Sequence, residues 1–200
     1  MRQRIIRFCV LTCGMLLISC AAWPADITVT AIRLRPAERL RPALAEVTFN
    51  GAITVKEVEV RTAGGRLDVK FPDYVSRGGR VFPQVRVLTR QARDAVNTAI
   101  TSRAPSKNAC EPLAFAITEW KPLTGRSKAK AVVTVTFNEA VAIECKVIES
   151  ARGYWVGWPA RRPSGGGKWI NQVLFLDRDL KDAVSDEVLR RFHRSQDKTP

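Results

Sequence analysis

Histidine is nearly absent from this chain: His193 is the single copy in 200 residues. It lies among Arg190, Arg191 and Arg194 near the end of a helical stretch, where a cation suits the helix C-terminus, and nothing pairs it with a nucleophile. CxxC, HExxH, Walker and GxSxG spacings are missing as well, and "SGGGK" at 164–168 lacks the strand and spacing of a P-loop. These absences point away from an enzyme and from a resident metal or cofactor. No apolar run is long enough to span a bilayer: "FCVLTCGMLLIS" at 8–19 extends about a dozen residues against the roughly 20 required. Acid is scarce too. Thirty-three Lys and Arg face 19 Asp and Glu, giving a net charge of +14 and a pI near 10.3. The natural partner of such a chain is a polyanion, whether nucleic acid, anionic lipid headgroups or an acidic wall polymer.

What is present begins with a leader. "MRQRIIR" supplies three arginines and no acid ahead of the apolar run, the order of an export signal over residues 1–25. The run ends in "LISC", which resembles a lipobox and would make Cys20 an acylated mature N-terminus; the small residues Ala21, Ala22 and Ala25 equally suit ordinary signal cleavage. The expected location is the periplasm or cell envelope, lipid-anchored if Cys20 is acylated. Removing residues 1–25 leaves +11, so the basicity is not an artefact of targeting. Of the remaining thiols, Cys110 and Cys145 could form a disulfide worth about 3 kcal/mol in an oxidising compartment. Alternatively Cys145, between Ile143 and Val147, is simply buried.

The strongest internal signal is a repeat. "AEVTFNGAITVKEVEVR" at 45–61 is echoed by "VTVTFNEAVAIECKVIE" at 133–149, at an offset of 88 that becomes 87 further on, placing a gained or lost residue in the turn. Around this pair both halves run in the same order. A first strand, "ITVTAIRLR" (27–35) or "LAFAITEWK" (113–121), is stopped by Pro36 or Pro122. The repeated pair supplies strands two and three, with Val133, Val135 and Phe137 on one face and Thr134 and Thr136 on the other. "RLDVKFP" or "GYWVGWP" follows, then a Gly-rich loop, then one short strand, "VFPQVRVL" or "WINQVLFL". Each half closes on a helix capped by Thr89 or Asp177, with stripes Ala92, Val96, Ala99, Ile100 and Leu180, Ala183, Val184, Val188, Phe192. The expectation is an α+β chain of two tandem antiparallel sheets, each with a C-terminal helix: residues 26–103, a linker 104–112, residues 113–195 and a tail 196–200.

The segments "KAKAVVTVTFNEAVAIECKVIE" and "GYWVGWPARRPSGGGKWINQV", followed by a terminal helix, resemble the septation protein SpoVG family, also called stage V sporulation protein G. The resemblance implies a small antiparallel sheet with a C-terminal helix, dimerisation, nucleic-acid binding and a non-enzymatic role in septation and sporulation control. Its most specific pieces are "VTF", "KVIE" and "WPARR"; the first half keeps "VTF" but has Asp73, Tyr74 and Val75 where the second has Ala160, Arg161 and Arg162. Two family units in one chain imply a monomeric pseudo-dimer. Physically, Arg161, Arg162 and Lys168 on one Gly-rich loop suit phosphates, and Trp169, with Trp155 and Trp158, could stack on bases. The alternative is that the tryptophans are core and the arginines a solvated edge. The rival function is an exported envelope module for anionic polymers or protein partners.

Overall fold

A computed structural model describes residues 26–37, 42–76, 78–108, 111–163 and 166–197. The leader with Cys20, and Cys110, lie outside the described residues. The first unit consists of β1 (Val29–Arg35), β2 (Ala43–Phe49), β3 (Ile53–Ala63), β4 (Arg66–Lys70), β5 (Asp73–Val75), β6 (Val81–Pro83), β7 (Val85–Val87) and α1 (Arg90–Ser102). The second repeats the order as β8 (Phe115–Pro122), β9 (Ala129–Phe137), β10 (Val141–Ser150), β11 (Gly153–Gly157), β12 (Ala160–Arg161), β13 (Ile170–Asn171), β14 (Val173–Phe175) and α2 (Arg178–Gln196). The chain is α+β, with antiparallel sheets repeated as the pattern implies.

Within each unit the repeated strand pair is the spine. Phe49, Val47, Phe137, Val135 and Val133 are all at most 1% exposed, so the β-branched and aromatic residues that favour a pleated surface also fill the core. The opposite face is buried too. Thr134 and Thr136 are hydrogen-bonded there to Glu119 and Thr118, and Thr48 to Thr54, which satisfies hydroxyls that would otherwise be costly to bury. Both expected caps form, Ala92 N donating to Thr89 Oγ1 at 3.2 Å and Leu180 N to Asp177 Oδ1 at 3.0 Å. α1 buries all four residues of its stripe against β1. In α2 the stripe is narrower than expected: Val184, Val188 and Phe192 are buried, Leu180 is half-buried, and Ala183 faces solvent.

Three expectations are revised. Pro122 does not stop the first strand but is its last residue, paired with Ala131 on an edge strand where a missing N–H is tolerated. The changed offset does not arise in the turn: Ile53 and Val141 still differ by 88. It arises inside β3, where Lys56 and Glu57 together oppose Glu46, whereas Thr134 opposes Glu144 alone in the second unit. This is a β-bulge, and Glu57 takes a left-handed φ of 59° to make it. Finally, "VFPQVRVL" and "WINQVLFL" are each two strands, broken at Gln84 and Gln172.

Those breaks are where the units exchange chain. β6 pairs back on β5 and β13 on β12, but β7 crosses to β10 of the second unit, and β14 crosses to β3 of the first. The exchange is reciprocal bond for bond. Glu144 N donates to Gln84 O and Lys56 N to Gln172 O, both at 2.8 Å; Leu88 N donates to Ala140 O and Leu176 N to Ala52 O, both at 2.7 Å. Val85 and Val173, buried to 2% and 3% exposure, carry the crossing strands into one continuous core shared by the two units. Each such burial is worth about 1.5–3 kcal/mol, so apolar contact rather than charge holds the units together.

The repeated Asn at the turn also ties distant segments. Asn50, at φ 46°, accepts from Thr28 N at 2.8 Å and donates through Nδ2 to Asp26 O and Glu111 O, at 3.1 and 2.9 Å. Asn138 accepts similarly from Ala114 N at 2.8 Å, but its buried Nδ2 has no partner among the described residues. With about 1 kcal/mol per hydrogen bond, Asn50→Ala is expected to destabilise by about 2–4 kcal/mol and Asn138→Ala by roughly half as much. Urea unfolding of the two variants beside the parent checks the ranking; equal losses would contradict it.

Candidate functional site

Where β10, β11, the β12–β13 hairpin and β14 converge, the structure leaves a groove of about 730 Å³ lined by Trp155, Trp158, Trp169 and Phe175, with Glu144, Lys146 and Lys181 on its walls. Its size falls in the range of ordinary ligand sites. Alternation along β10 builds one wall: Ile143, Cys145 and Val147 turn into the core, which sends Glu144, Lys146 and Ile148 to the other face. On the neighbouring strand, Trp155 lies across Gly157. A Cβ at that glycine would come within 3.1 Å of Ile148 Cγ1 and 3.4 Å of the Trp155 ring, so any side chain there would crowd both.

The three tryptophans have different situations. Trp169 is 65% exposed and Trp155 51%, while Trp158 is half-buried with its ring 4.5 Å from that of Phe175. Trp158 is thus tied to the core, and Trp155 and Trp169 present open faces. The side chains of Arg162 and Lys168 are exposed on the hairpin and make no ion pair among the described residues. Lys146 stands with its Nζ 4.7 Å from the centre of the Tyr74 ring, so the first unit braces one cation of the groove. Burial pushes the Glu144 carboxyl above its ordinary range, and the nearby charges of Lys146 and Arg86 only partly counter this.

Arg161 does not join the other loop cations. Its guanidinium turns to the first unit and grips Glu57 through two hydrogen bonds of 2.5 Å, Nε to Oε2 and Nη2 to Oε1. Gln172 Nε2 donates to the same Oε2 at 3.0 Å. This cluster closes a smaller recess of about 320 Å³, walled also by Phe71, Pro72 and Asp73. The sequence offered Arg161 and Arg162 as equivalents; Arg161, the last residue of β12, reaches across to a partner in the first unit, and Arg162, just past the strand, is left in solvent. Lys146, Lys181, Glu144 and Glu57 were not singled out in the sequence. The alternating Glu144-Lys146 face was a usable signal for two of them, whereas the position of Lys181 and the bulge at Glu57 depend on tertiary contacts.

Cys145 has no disulfide partner among the described residues; it is 1% exposed, and burial pushes the thiol up to about 12, which keeps it protonated and poorly nucleophilic. His193 packs edge-on to Tyr154 at 5.8 Å, beside the Tyr154–Phe192 contact that seats α2 on β11. Among the described residues, no group of three or more His, Cys, Asp or Glu is placed to hold a metal ion.

Comparison with known proteins gives one family. The SpoVG family model matches residues 116–194, the second unit and its helix. Relatives carrying the septation-protein name SpoVG include one from Clostridium botulinum (strain Alaska E43 / Type E3), 31% identical over 77 residues, which cover 38% of this chain and 82% of the relative. Another, from Archaeoglobus fulgidus, is 33% identical over 74 residues, 36% of this chain and 85% of the relative. A third, from Acholeplasma laidlawii, is 29% identical over 73 residues, 36% and 76% respectively. Those relatives are therefore little longer than one unit. No solved structure gives a significant match.

The paired arginine has a pH signature. Burial alone raises the Glu57 carboxyl, but the hydrogen bond and charge of Arg161, with the Gln172 amide, outweigh it and hold the carboxyl below its ordinary 4.5. A carboxyl with a depressed folded-state pKa stabilises the fold fully above its unfolded value and loses that contribution as pH falls through the folded value. The parent is expected to lose stability below about pH 4.5 more steeply than Arg161→Gln, in which the carboxyl has lost its main partner. Urea midpoints at neutral pH and at roughly pH 3 measure this; parallel acid losses in parent and variant would refute it.

Proposed function

The chain belongs to the SpoVG family, and on that premise we propose that it is a non-enzymatic nucleic-acid-binding regulator of septation or sporulation type, gripping a single strand along the aromatic groove of its second unit. The observation that carries this reading is the meeting, at one groove, of two open indole faces, Trp155 and Trp169, with the cations Lys146 and Lys181, beside a hairpin whose Arg162 and Lys168 face solvent. Indoles stack on bases of any sequence, and the cations follow a phosphate backbone. The first unit is an additional SpoVG-like copy whose role is chiefly architectural: it has Asp73, Tyr74 and Val75 at the corresponding step and provides the brace on Lys146.

A second reading is favoured by the leader. A chain exported through residues 1–25 meets envelope polymers rather than cytoplasmic nucleic acid, and the same basic groove would then hold an acidic polymer or a protein partner. Cell fractionation separates the two. If "LISC" is a lipobox, Cys20→Ser is expected to abolish labelling by a fatty-acid analogue, and label retained in that variant would exclude acylation there.

Binding is tested by affinity against salt concentration for a single-stranded oligonucleotide and for a wall-type polyanion. Neutralising Arg162 and Lys168 together is expected to flatten the log–log salt slope by about 2, because two fewer counterions are released. Trp155→Ala and Trp169→Ala are each expected to weaken oligonucleotide binding by about 1–3 kcal/mol, since each removes one stacking platform. Arg80→Gln in the first unit should change little. Absence of polyanion binding by the parent near physiological salt, or equal losses from both hairpins, would defeat the proposal.

A further inference from the structure

The reciprocal exchange creates two joints that match in their backbone hydrogen bonds and differ in their side chains. At the first, Arg161 of the β12–β13 hairpin meets Glu57 on the β3 bulge, with Gln172 as a third member. At the second, the position corresponding to Arg161 is Tyr74 of the β5–β6 hairpin, whose ring receives Lys146 of β10. β10 has no bulge opposite Thr134, so it offers no counterpart of Glu57. One joint is an arginine on a carboxylate, the other a tyrosine under a lysine.

This difference decides which units can meet. Pairing two second units from separate chains would bring Arg161 to a strand that carries Lys146 and lacks the Glu57 carboxylate. Pairing two first units would place Tyr74 at Glu57 and leave a mostly buried carboxylate, 14% exposed, without its cation. Like-with-like pairing can be met only between separate chains, where it gives closed dimers or, when the remaining units recruit further chains, longer assemblies. We propose that the Glu57–Arg161 contact is a pairing-specificity device: it lets a first unit accept only a second unit, and because the second unit of the same chain is held at high effective concentration, the chain closes on itself as a monomer. Apolar burial supplies the strength of the joint, and this ion pair supplies its selectivity. The inference rests on the strand exchange and is independent of what the groove binds.

The test is charge reversal in the full mature chain, read by light scattering across a range of micromolar concentrations and by energy transfer between differently labelled chains. The parent is expected to be monomeric and slow to exchange. Glu57→Arg and Arg161→Glu, each alone, should form concentration-dependent oligomers, and the double reversal should restore the monomer. The milder Arg161→Gln, whose fold is checked by circular dichroism, is expected to exchange between chains about five- to tenfold faster than the parent. The proposal is overturned if the single reversals stay monomeric, if the double reversal fails to recover a folded monomer, or if Arg161→Gln exchanges at the parental rate.

Discussion

Everything in this molecule depends on two three-residue crossings, β7 onto β10 and β14 onto β3. Without them each unit is a small meander, with the Ile53–Val55 or Val141–Ile143 end of its third strand open on one side. With them, Val85, Val173 and Phe175 enter a core to which both units contribute. The groove is a by-product of the same crossing. Its floor includes Phe175 on the crossing strand, its rim includes Gln84 from the first unit, and Lys146 is braced by Tyr74 from across the joint. A candidate binding surface in the second unit thus takes its shape from the first, although only the second carries the family match.

The two units share a plan and have diverged at single residues with large local effects. One extra residue in β3 creates a bulge, the bulge turns Glu57 toward the joint, and Glu57 captures Arg161. Removing that arginine from the loop leaves Arg162 and Lys168 to face solvent. The number of cations in a loop therefore says little about how many are available. Strand direction and the neighbouring unit decide which cations can reach a ligand.

Much of the fold was legible because its signals are local. Alternation in "VTVTF", the Asn at the turn, and the caps Thr89 and Asp177 each act within a few residues, and all of them form as the pattern implies. The candidate site was legible in part, since the exposed Trp169, Arg162 and Lys168 sit on the Gly-rich hairpin that drew attention to them. What could not be read was non-local. The break at Gln84 and Gln172 depends on carbonyls at Pro72 and Pro159 and on strands in the other unit. The extra residue could be counted from the offset but not located, because only the register with β2 distinguishes a longer turn from a bulge.

The crossing of β14 onto β3 also sets a schedule for biosynthesis. Ile53–Val55 has no partner on its open side until Val173–Phe175 has been made, more than a hundred residues later. At ordinary rates of chain elongation that interval is on the order of ten seconds. Throughout it the emerging first unit presents an unpaired strand edge and an unfilled core, so it cannot settle domain by domain as tandem repeats joined only by a linker can. The strand that completes the first sheet, β14, is synthesised after all the other strands of the second unit. A nascent chain built this way keeps that strand edge open until Val173–Phe175 has emerged.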